Sequence, residues 1–294
     1  MRVTSSESKT RLASGNVCGV RSIASGLFTV VAMIAVIIAV PSMWVSQRVV
    51  SVDGFAASAG DAARNTEVQD YFAEKVAASV EQETSVPLAG AVVEPLARNY
   101  TRSEGFVQDF QEIARQQHDW LFTAPGPDTD THVMDVNVTP MVNRVLASTN
   151  LPTEVAVDRP IYIGIDQHRL TAGSMESTGR LVSATSWIAV TVAAVAAILA
   201  LLAANRRSTV LGWLGVGVLL AAAGAFGLAQ YIRSLAGDKT ADTDEAARRT
   251  VEVVADGVSS DLANLSLIVA IAGALVTVAG LLLRIVGGRR RSAF

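Results

Sequence analysis

The sequence has a single cysteine, Cys18, and only 5% of its 294 residues are aromatic. One cysteine excludes a disulfide within the chain, and we expect Cys18 to be an inert thiol. The sequence contains no H-E-x-x-H zinc motif, no G-x-S-x-G elbow and no glycine-rich phosphate loop. The motifs that would identify a zinc enzyme, a serine hydrolase of the α/β type or a nucleotide-binding protein are therefore missing.

Charge is also missing from four long stretches, although half of all residues are apolar. Each stretch has at least 18 uncharged residues, enough for a helix to cross a hydrocarbon core of about 30 Å. The only charged residue within them is Arg284, near the end of the fourth. They predict four transmembrane helices, at 22–45, 184–204, 210–231 and 264–286. The lack of ionisable residues at mid-depth argues against a carrier or ion channel acting alone.

The segments between the spans differ in charge. The two terminal segments and the short link between spans two and three carry ten basic residues and one acidic residue, counting Arg284 with the C-terminal segment. The region 48–180 has ten basic and nineteen acidic residues, and the region 232–263 has four basic and seven acidic residues. Because basic residues concentrate in short cytoplasmic segments, we expect a multi-pass protein of the plasma (inner) membrane with both termini cytoplasmic. A cleaved signal peptide is disfavoured, since the first apolar run is too long and no A-x-A-like site follows.

These predictions divide the whole chain. The cytoplasmic parts are a disordered tail at 1–21, a turn at 205–209 and a tail at 287–294. The extracytoplasmic parts are a domain with its stalk at 46–183 and a helical loop at 232–263. The fold class is therefore mainly α and membrane-embedded, with four transmembrane helices and a helix-rich extracytoplasmic domain.

Capping patterns predict several helices in that domain. Asp53 is a candidate N-cap for a helix that ends near Ala63, and Pro87 suits the first turn of a helix that reaches about Asn99. Two S/T-x-x-E/Q-like patterns predict capping boxes, with the threonine as the cap. They are Thr66–Gln69 and Thr101–Glu104.

The helix after Thr101–Glu104 is the most amphipathic soluble helix of the chain. We expect its apolar face to pack in a core: Phe106, Val107, Phe110, Ile113, Trp120 and Leu121. Further on, Met134, Val136 and Val138 alternate as in a strand, Thr139-Pro140 predicts a helix to about Thr149, and 161–165 alternates again. Strand, helix and strand suggest a small two-stranded βαβ element.

Two spans are predicted to continue as stalk helices. A helix capped by Asp166 leads into span two without a breaker, and one that starts at 242–245 leads into span four. Small residues recur every fourth position in spans two and three, which allows close helix packing. These residues are Ala189, Ala193, Ala197, Gly217, Ala221 and Ala225.

Candidate chemistry is confined to the predicted outer domain, which holds all three histidines: His118, His132 and His168. The stretch with Asp128, Asp130, His132 and Asp135 resembles a cation-binding loop, but an EF-hand would need Gly and Glu where Val133 and Thr139 stand. We therefore assign no catalytic, cofactor-binding or metal residues and expect no cofactor. A looser cation site at this stretch stays an alternative.

Several short motifs carry a resemblance to a known group. The segments 52–56, 65–69 and 76–77, the helix 106–121, the run 136–142 and the run 166–170 resemble elements of uncharacterised actinobacterial integral membrane proteins. That resemblance implies four spans, with a large extracytoplasmic domain between spans one and two. This sequence has Thr66 where the group has a proline. The resemblance implies no activity and no functional residues.

The predicted cytoplasmic segments are short, which limits the classes of function that this chain can have. None can hold an enzymatic or DNA-binding domain, and 205–209 is too short for the coupling helix of an ATPase-driven permease. We therefore expect a non-enzymatic envelope protein whose outer domain binds a partner or envelope component. A subunit of a membrane transport complex and an extracytoplasmic hydrolase are the alternatives. The expected partners are the lipid bilayer, another membrane or envelope protein and a second copy of the chain, but not nucleic acid, since the terminal arginines suit anionic lipid headgroups.

Overall fold

The computed structural model describes residues 7–84, 89–127, 131–148, 159–166, 171–239 and 245–289. The described part is mainly helical, as predicted. Before the strands, the elements are α1 (Glu7–Val45), a π-helix (Ser46–Val50), α2 (Val52–Ala63), α3 (Thr66–Thr84), α4 (Ala89–Thr101) and α5 (Glu104–Phe122). They are followed by β1 (Val133–Asn137), α6 (Thr139–Ser148), β2 (Tyr162–Asp166), α7 (Glu176–Ala203), α8 (Arg207–Lys239) and α9 (Glu245–Arg289).

Four of these helices are long and apolar enough to span a membrane, which confirms that prediction. The apolar portions are Arg21–Val50, Glu176–Ala203, Arg207–Ser234 and Glu252–Val286. Their large side chains point outward over much of their length, as Ile34, Ile198 and Leu275 illustrate. Outward-facing apolar residues with small residues inside are the arrangement that a lipid environment favours.

The chain forms two compact units. The apolar unit comprises Met1–Met43, Ala184–Leu228 and Leu262–Phe294, and the polar unit comprises Trp44–Ser183 and Ala229–Asp261. The names refer to their residue content only.

Small residues pack the helices of the apolar unit, as their spacing predicted. Gly217 of α8 lies against Met33 of α1, and Ala221 and Ala225 are fully buried. The Ser25 hydroxyl of α1 donates a hydrogen bond to the carbonyl of Ala200 in α7, at 3.0 Å. Small side chains therefore let these helices approach closely, and the Ser25 hydrogen bond links α1 to α7.

The core of the polar unit forms around the aromatic face of α5, which confirms the core prediction. Phe106 and Val107 are buried with Ala63 of α2, and Phe72 of α3 packs against them. Phe72 and Phe110 meet edge to face, with ring centroids 5.3 Å apart. Such aromatic pairs add about 0.5–1.5 kcal/mol each beyond the burial of their area.

The two predicted strands are present, but they do not form a βαβ unit. The strands pair antiparallel, with Val133 opposite Asp166 and Asn137 opposite Tyr162, whereas a βαβ unit has parallel strands. The Val138 N–H donates to the Ile161 carbonyl at 3.0 Å. The second strand therefore starts beside the end of the first and has to run back along it.

Alternation identified the buried face of β1 correctly. Met134, Val136 and Val138 are buried against Ile113 and Trp120 of α5. The Gln116 side chain extends the pairing, because its Oε1 accepts from the Asn137 N–H at 2.8 Å and its Nε2 donates to the Asn137 carbonyl at 3.3 Å. α5 therefore supports β1 with both its apolar and its polar side chains.

Three predicted caps were wrong by one to two residues. Ser51, not Asp53, accepts from the Gly54 N–H at the start of α2. Asn65, not Thr66, accepts from the Glu67 N–H. A short side chain caps best from an extended backbone just before the first helical residue, and Ser103, which caps α5 in place of Thr101, has that conformation.

The ends of the long helices also differ in part from the predictions. Asp166 ends β2 instead of capping a stalk, and α7 begins at Glu176, three residues after Gly173, whose φ of 71° is not helical. α9 is continuous from Glu245 to Arg289, so the predicted extension of span four is present as helix. α1 begins at Glu7, so most of the tail expected to be disordered is helical. The start of the helix predicted at 85–87 and the residues 167–170 lie outside the described part of the chain.

Candidate functional site

His118 is a packed residue of the polar unit and not an open ligand. It lies on α5 with 6% of its surface exposed, and its Nε2 lies 2.8 Å from the Val50 carbonyl oxygen. Its ring stacks on Phe122, with centroids 4.3 Å apart. Because a carbonyl can only accept, Nε2 carries the proton. Nδ1 has no hydrogen-bond partner, and its nearest carboxylate is Asp119 at 3.9 Å.

The other candidate residues do not form a site in the described part of the chain. His132 and Asp135 are exposed at β1. Asp128, Asp130 and His168 lie outside the described residues, and so does the side chain of Cys18. Among the described residues, no three His, Cys, Asp or Glu side chains come together as metal ligands. The cation site at Asp128–Asp135 therefore stays a prediction.

A buried carboxylate on α5 is the main polar feature that sequence reasoning missed. Asp109 is 4% exposed, and its Oδ2 accepts a hydrogen bond from the Tyr100 hydroxyl at 2.8 Å. The Nε of Arg144 donates to both carboxylate oxygens, at 3.1 and 3.3 Å. Gly105 leaves room for this arginine, since a Cβ there would lie 2.5 Å from the Arg144 Cδ. The three residues join α4, α5 and α6.

The electrostatics of this cluster keep the tyrosine protonated. Burial raises the pKa of Tyr100 well above its usual range, and the hydrogen bond to Asp109 and the charge of that carboxylate raise it further. The nearby Arg144 lowers the Tyr100 pKa, but by less than the other causes raise it. A hydroxyl with a raised pKa stays a donor to the carboxylate. Tyr100 is therefore a structural donor and not an activated phenolate.

The sequence carries one signal that could have indicated this cluster. Asp109 lies on the apolar stripe of α5, between Phe106 and Ile113, where a charge is expected to be paired if the stripe is buried. The stripe does not name the partners, because Arg144 is 35 positions away along the chain. Arg144 lies on α6, and the sequence of α6 does not indicate that this helix faces Asp109.

A second polar cluster surrounds the π-helix Ser46–Val50. Asp261 accepts from the Trp44 indole N–H at 2.8 Å and from Arg48 at 2.9 Å. A Cβ on Gly54 would collide with the backbone of Gln47, so α2 returns directly along the π-helix. Short π-helical segments are often found at functional sites. Here the segment presents Arg48 to α9 and the Val50 carbonyl to His118.

Both clusters connect elements of the polar unit. Asp109 joins three helices, and Asp261 joins α9 to the chain around the π-helix. His118 donates from Nε2 to a backbone carbonyl, and Nδ1, the nitrogen that could act as a base, has no hydroxyl or thiol of a described residue as its partner. The arrangement can hold helices in register, and no described residue forms a pair of nucleophile and base with His118.

Comparisons with models of protein families, with curated proteins and with solved structures found no match to this chain. The resemblance to actinobacterial membrane proteins therefore stays a prediction that rests on the sequence motifs alone.

Proposed function

We propose that this chain is a non-enzymatic protein of the plasma membrane whose polar unit binds a partner protein or an envelope component. Both termini face the cytoplasm in this proposal, as the distribution of arginines predicts. The polar unit then lies outside the cytoplasm. The four helices that are long and apolar enough to cross a bilayer support the membrane location.

One observation carries the proposal: in the described part of the polar unit, Asp109 and His118, the two buried side chains that can carry a charge, each bond to another element of the fold. Asp109 is occupied by Tyr100 and Arg144, and His118 by the Val50 carbonyl. Catalytic groups are instead expected to converge on a cleft where a substrate atom can approach them. A helical unit that uses its polar groups for its own packing is suited to presenting a surface.

The short connection between α7 and α8 supports a passive role in the membrane. α7 ends at Ala203 and α8 begins at Arg207, so only residues 204–206 link them. A transport subunit driven by an ATPase would need a longer segment here, on which the conformational change of the ATPase could act. A signal from the polar unit would therefore have to leave through another membrane protein.

Two exposed apolar residues of the polar unit provide positions for the test. Leu96 on α4 is 60% exposed and Tyr162 on β2 is 59% exposed. A photo-crosslinking amino acid placed at either position in the full-length protein, in native membranes, should yield one recurring adduct. The control position is Arg102, whose side chain is 54% exposed but which is charged and pairs with Asp70. An adduct of the same mass and yield from the control would contradict the proposal.

The two alternatives predict different results. If the chain is a hydrolase, the purified full-length protein should turn over model ester, peptide or glycan substrates. One of the alanine variants at His118, His132 or His168 should then lose that turnover. If the chain is a transport subunit, the reconstituted protein should carry ions or solutes across the membrane of liposomes. Either result would overturn the non-enzymatic, partner-binding function.

A further inference from the structure

A shallow cavity of about 240 Å³, largely open on one side, lies in the apolar unit between the first turns of α8 and the last turns of α9. It forms where the two backbones touch, because Gly280 lies directly against Gly212: a Cβ on Gly280 would be 2.6 Å from the Gly212 nitrogen. On Gly212 itself, a Cβ would have no atom within 4 Å. The missing side chain of Gly212 therefore leaves open space beside a close helix contact.

The lining of the cavity is apolar with a cationic end. Val216 and Leu281 supply apolar surface, Ser208 a hydroxyl, and Arg284 the only charge among the described residues that line it. Arg284 forms no ion pair or hydrogen bond with the described residues, and it is exposed. The guanidinium can thus offer its donors to a ligand, in the planar geometry that suits phosphate oxygens.

The size of the cavity and its place in the apolar unit define the ligand further. Sites that enclose a drug-sized molecule have volumes of about 300–1,000 Å³, so 240 Å³ admits only part of a lipid. A glycerophosphate group fits this description, with its acyl chains left outside along the apolar helices. Trp213 lines the same opening and is 56% exposed. Tryptophan is enriched at the level of lipid headgroups because its ring is apolar and its N–H is polar.

We propose that this cavity binds the headgroup of an anionic phospholipid, with the phosphate on Arg284 and the Ser208 hydroxyl. The described lining has no acidic residue to receive the cationic part of a zwitterionic headgroup. The site therefore prefers phosphatidylglycerol to phosphatidylcholine. Arg206 precedes α8 and Arg207 is its first residue, and neither lines the cavity.

The chain offers matched variants for a test. Arg284→Gln removes the phosphate donor, and Arg206→Gln removes the same charge outside the cavity. Gly212→Leu fills the cavity, and Gly224→Leu places the same side chain on α8 where a Cβ also meets nothing within 4 Å. Arg284→Gln leaves the glycine contact intact, so it remains informative if Gly212→Leu impairs folding.

The measurement is native mass spectrometry of the full-length protein in a neutral detergent, titrated with phosphatidylglycerol or phosphatidylcholine. The wild type, Arg206→Gln and Gly224→Leu should bind phosphatidylglycerol more tightly than phosphatidylcholine. Arg284→Gln and Gly212→Leu should weaken phosphatidylglycerol binding by about tenfold, as expected when a charged hydrogen bond or the site itself is lost.

Three outcomes of the lipid titrations would overturn the proposal. They are equal binding of the two lipids by the wild type, unchanged binding of phosphatidylglycerol by Arg284→Gln, and an equal loss in Arg206→Gln and Arg284→Gln. A fourth is competition by free glycerol phosphate at the same concentration as the lipid, which would assign the cavity to a soluble organic phosphate.

Discussion

The Asp109 cluster leads to a prediction about an asymmetry in stability. Among the residues that the structure describes, Arg144 is the only cation that contacts Asp109, and Arg144→Gln leaves a carboxylate that is 4% exposed with the Tyr100 hydroxyl as its described side-chain donor. Asp109→Asn instead removes the charge and keeps an acceptor for Tyr100. We therefore expect Arg144→Gln to cost more free energy of unfolding than Asp109→Asn.

The magnitude follows from how deeply each partner is buried. Breaking a fully buried ion pair costs about 3–5 kcal/mol, but the Arg144 side chain is 43% exposed and solvent reaches it. We discount the loss to about 2–3 kcal/mol for Arg144→Gln. For Asp109→Asn we expect about 1–2 kcal/mol. The double variant should cost at least about 1 kcal/mol less than the sum of the two single variants, since it leaves no buried charge unpaired.

The assay is thermal unfolding of the full-length protein in detergent, followed by near-ultraviolet circular dichroism, which reports the packing of aromatic side chains. For a domain of about 150–250 residues, 1 kcal/mol lowers Tm by about 2–4 °C. Arg144→Gln should thus lower Tm by about 4–12 °C. The control is Arg115→Gln, which breaks an exposed ion pair with Glu112 on the same helix. It should change stability by less than about 0.5 kcal/mol.

Equal effects of Arg144→Gln and Arg115→Gln would refute this reasoning, because the buried carboxylate would then not depend on Arg144. Strict additivity in the double variant would also refute it. In that case the two side chains would contribute independently.

Two further predictions concern single contacts of the polar unit. Gly54→Ala should lower the free energy of unfolding by about 1–3 kcal/mol, because its Cβ would collide with the Gln47 backbone. Gly257→Ala, where a Cβ meets nothing within 4 Å, should raise it by about 0.5–1 kcal/mol through helix propensity. Chemical denaturation measures both, and equal effects would contradict the placement of Gly54. Because the pKa of Tyr100 is raised in the folded state, its stabilising contribution is complete below the ordinary tyrosine pKa of about 10 and is lost at higher pH. Tyr100→Phe should therefore make the loss of stability above pH ~10 shallower, and an unchanged pH profile would show that the hydroxyl is not held as described.

The positions of the four long apolar helices could be predicted from the sequence, because hydropathy is a local property that adds up along a helix. The same holds for the buried faces of α5 and β1. Periods of 3.6 and 2 identify which residues share a face, and Phe106 and Val136 are buried accordingly. Each of these predictions uses only residues that are near one another in the chain.

Tertiary structure alone decided the contacts between distant parts of the chain. The direction of β2 depends on where Ile161 meets Val138, and no local pattern contains that contact. Asp109 could be recognised as a charge on an apolar stripe, but its partner Arg144 is selected by the packing of α6 on α5. Asp261 bonds to Trp44 across 217 positions. Propensity and periodicity describe an element by itself, whereas the pairing of polar groups depends on which elements meet.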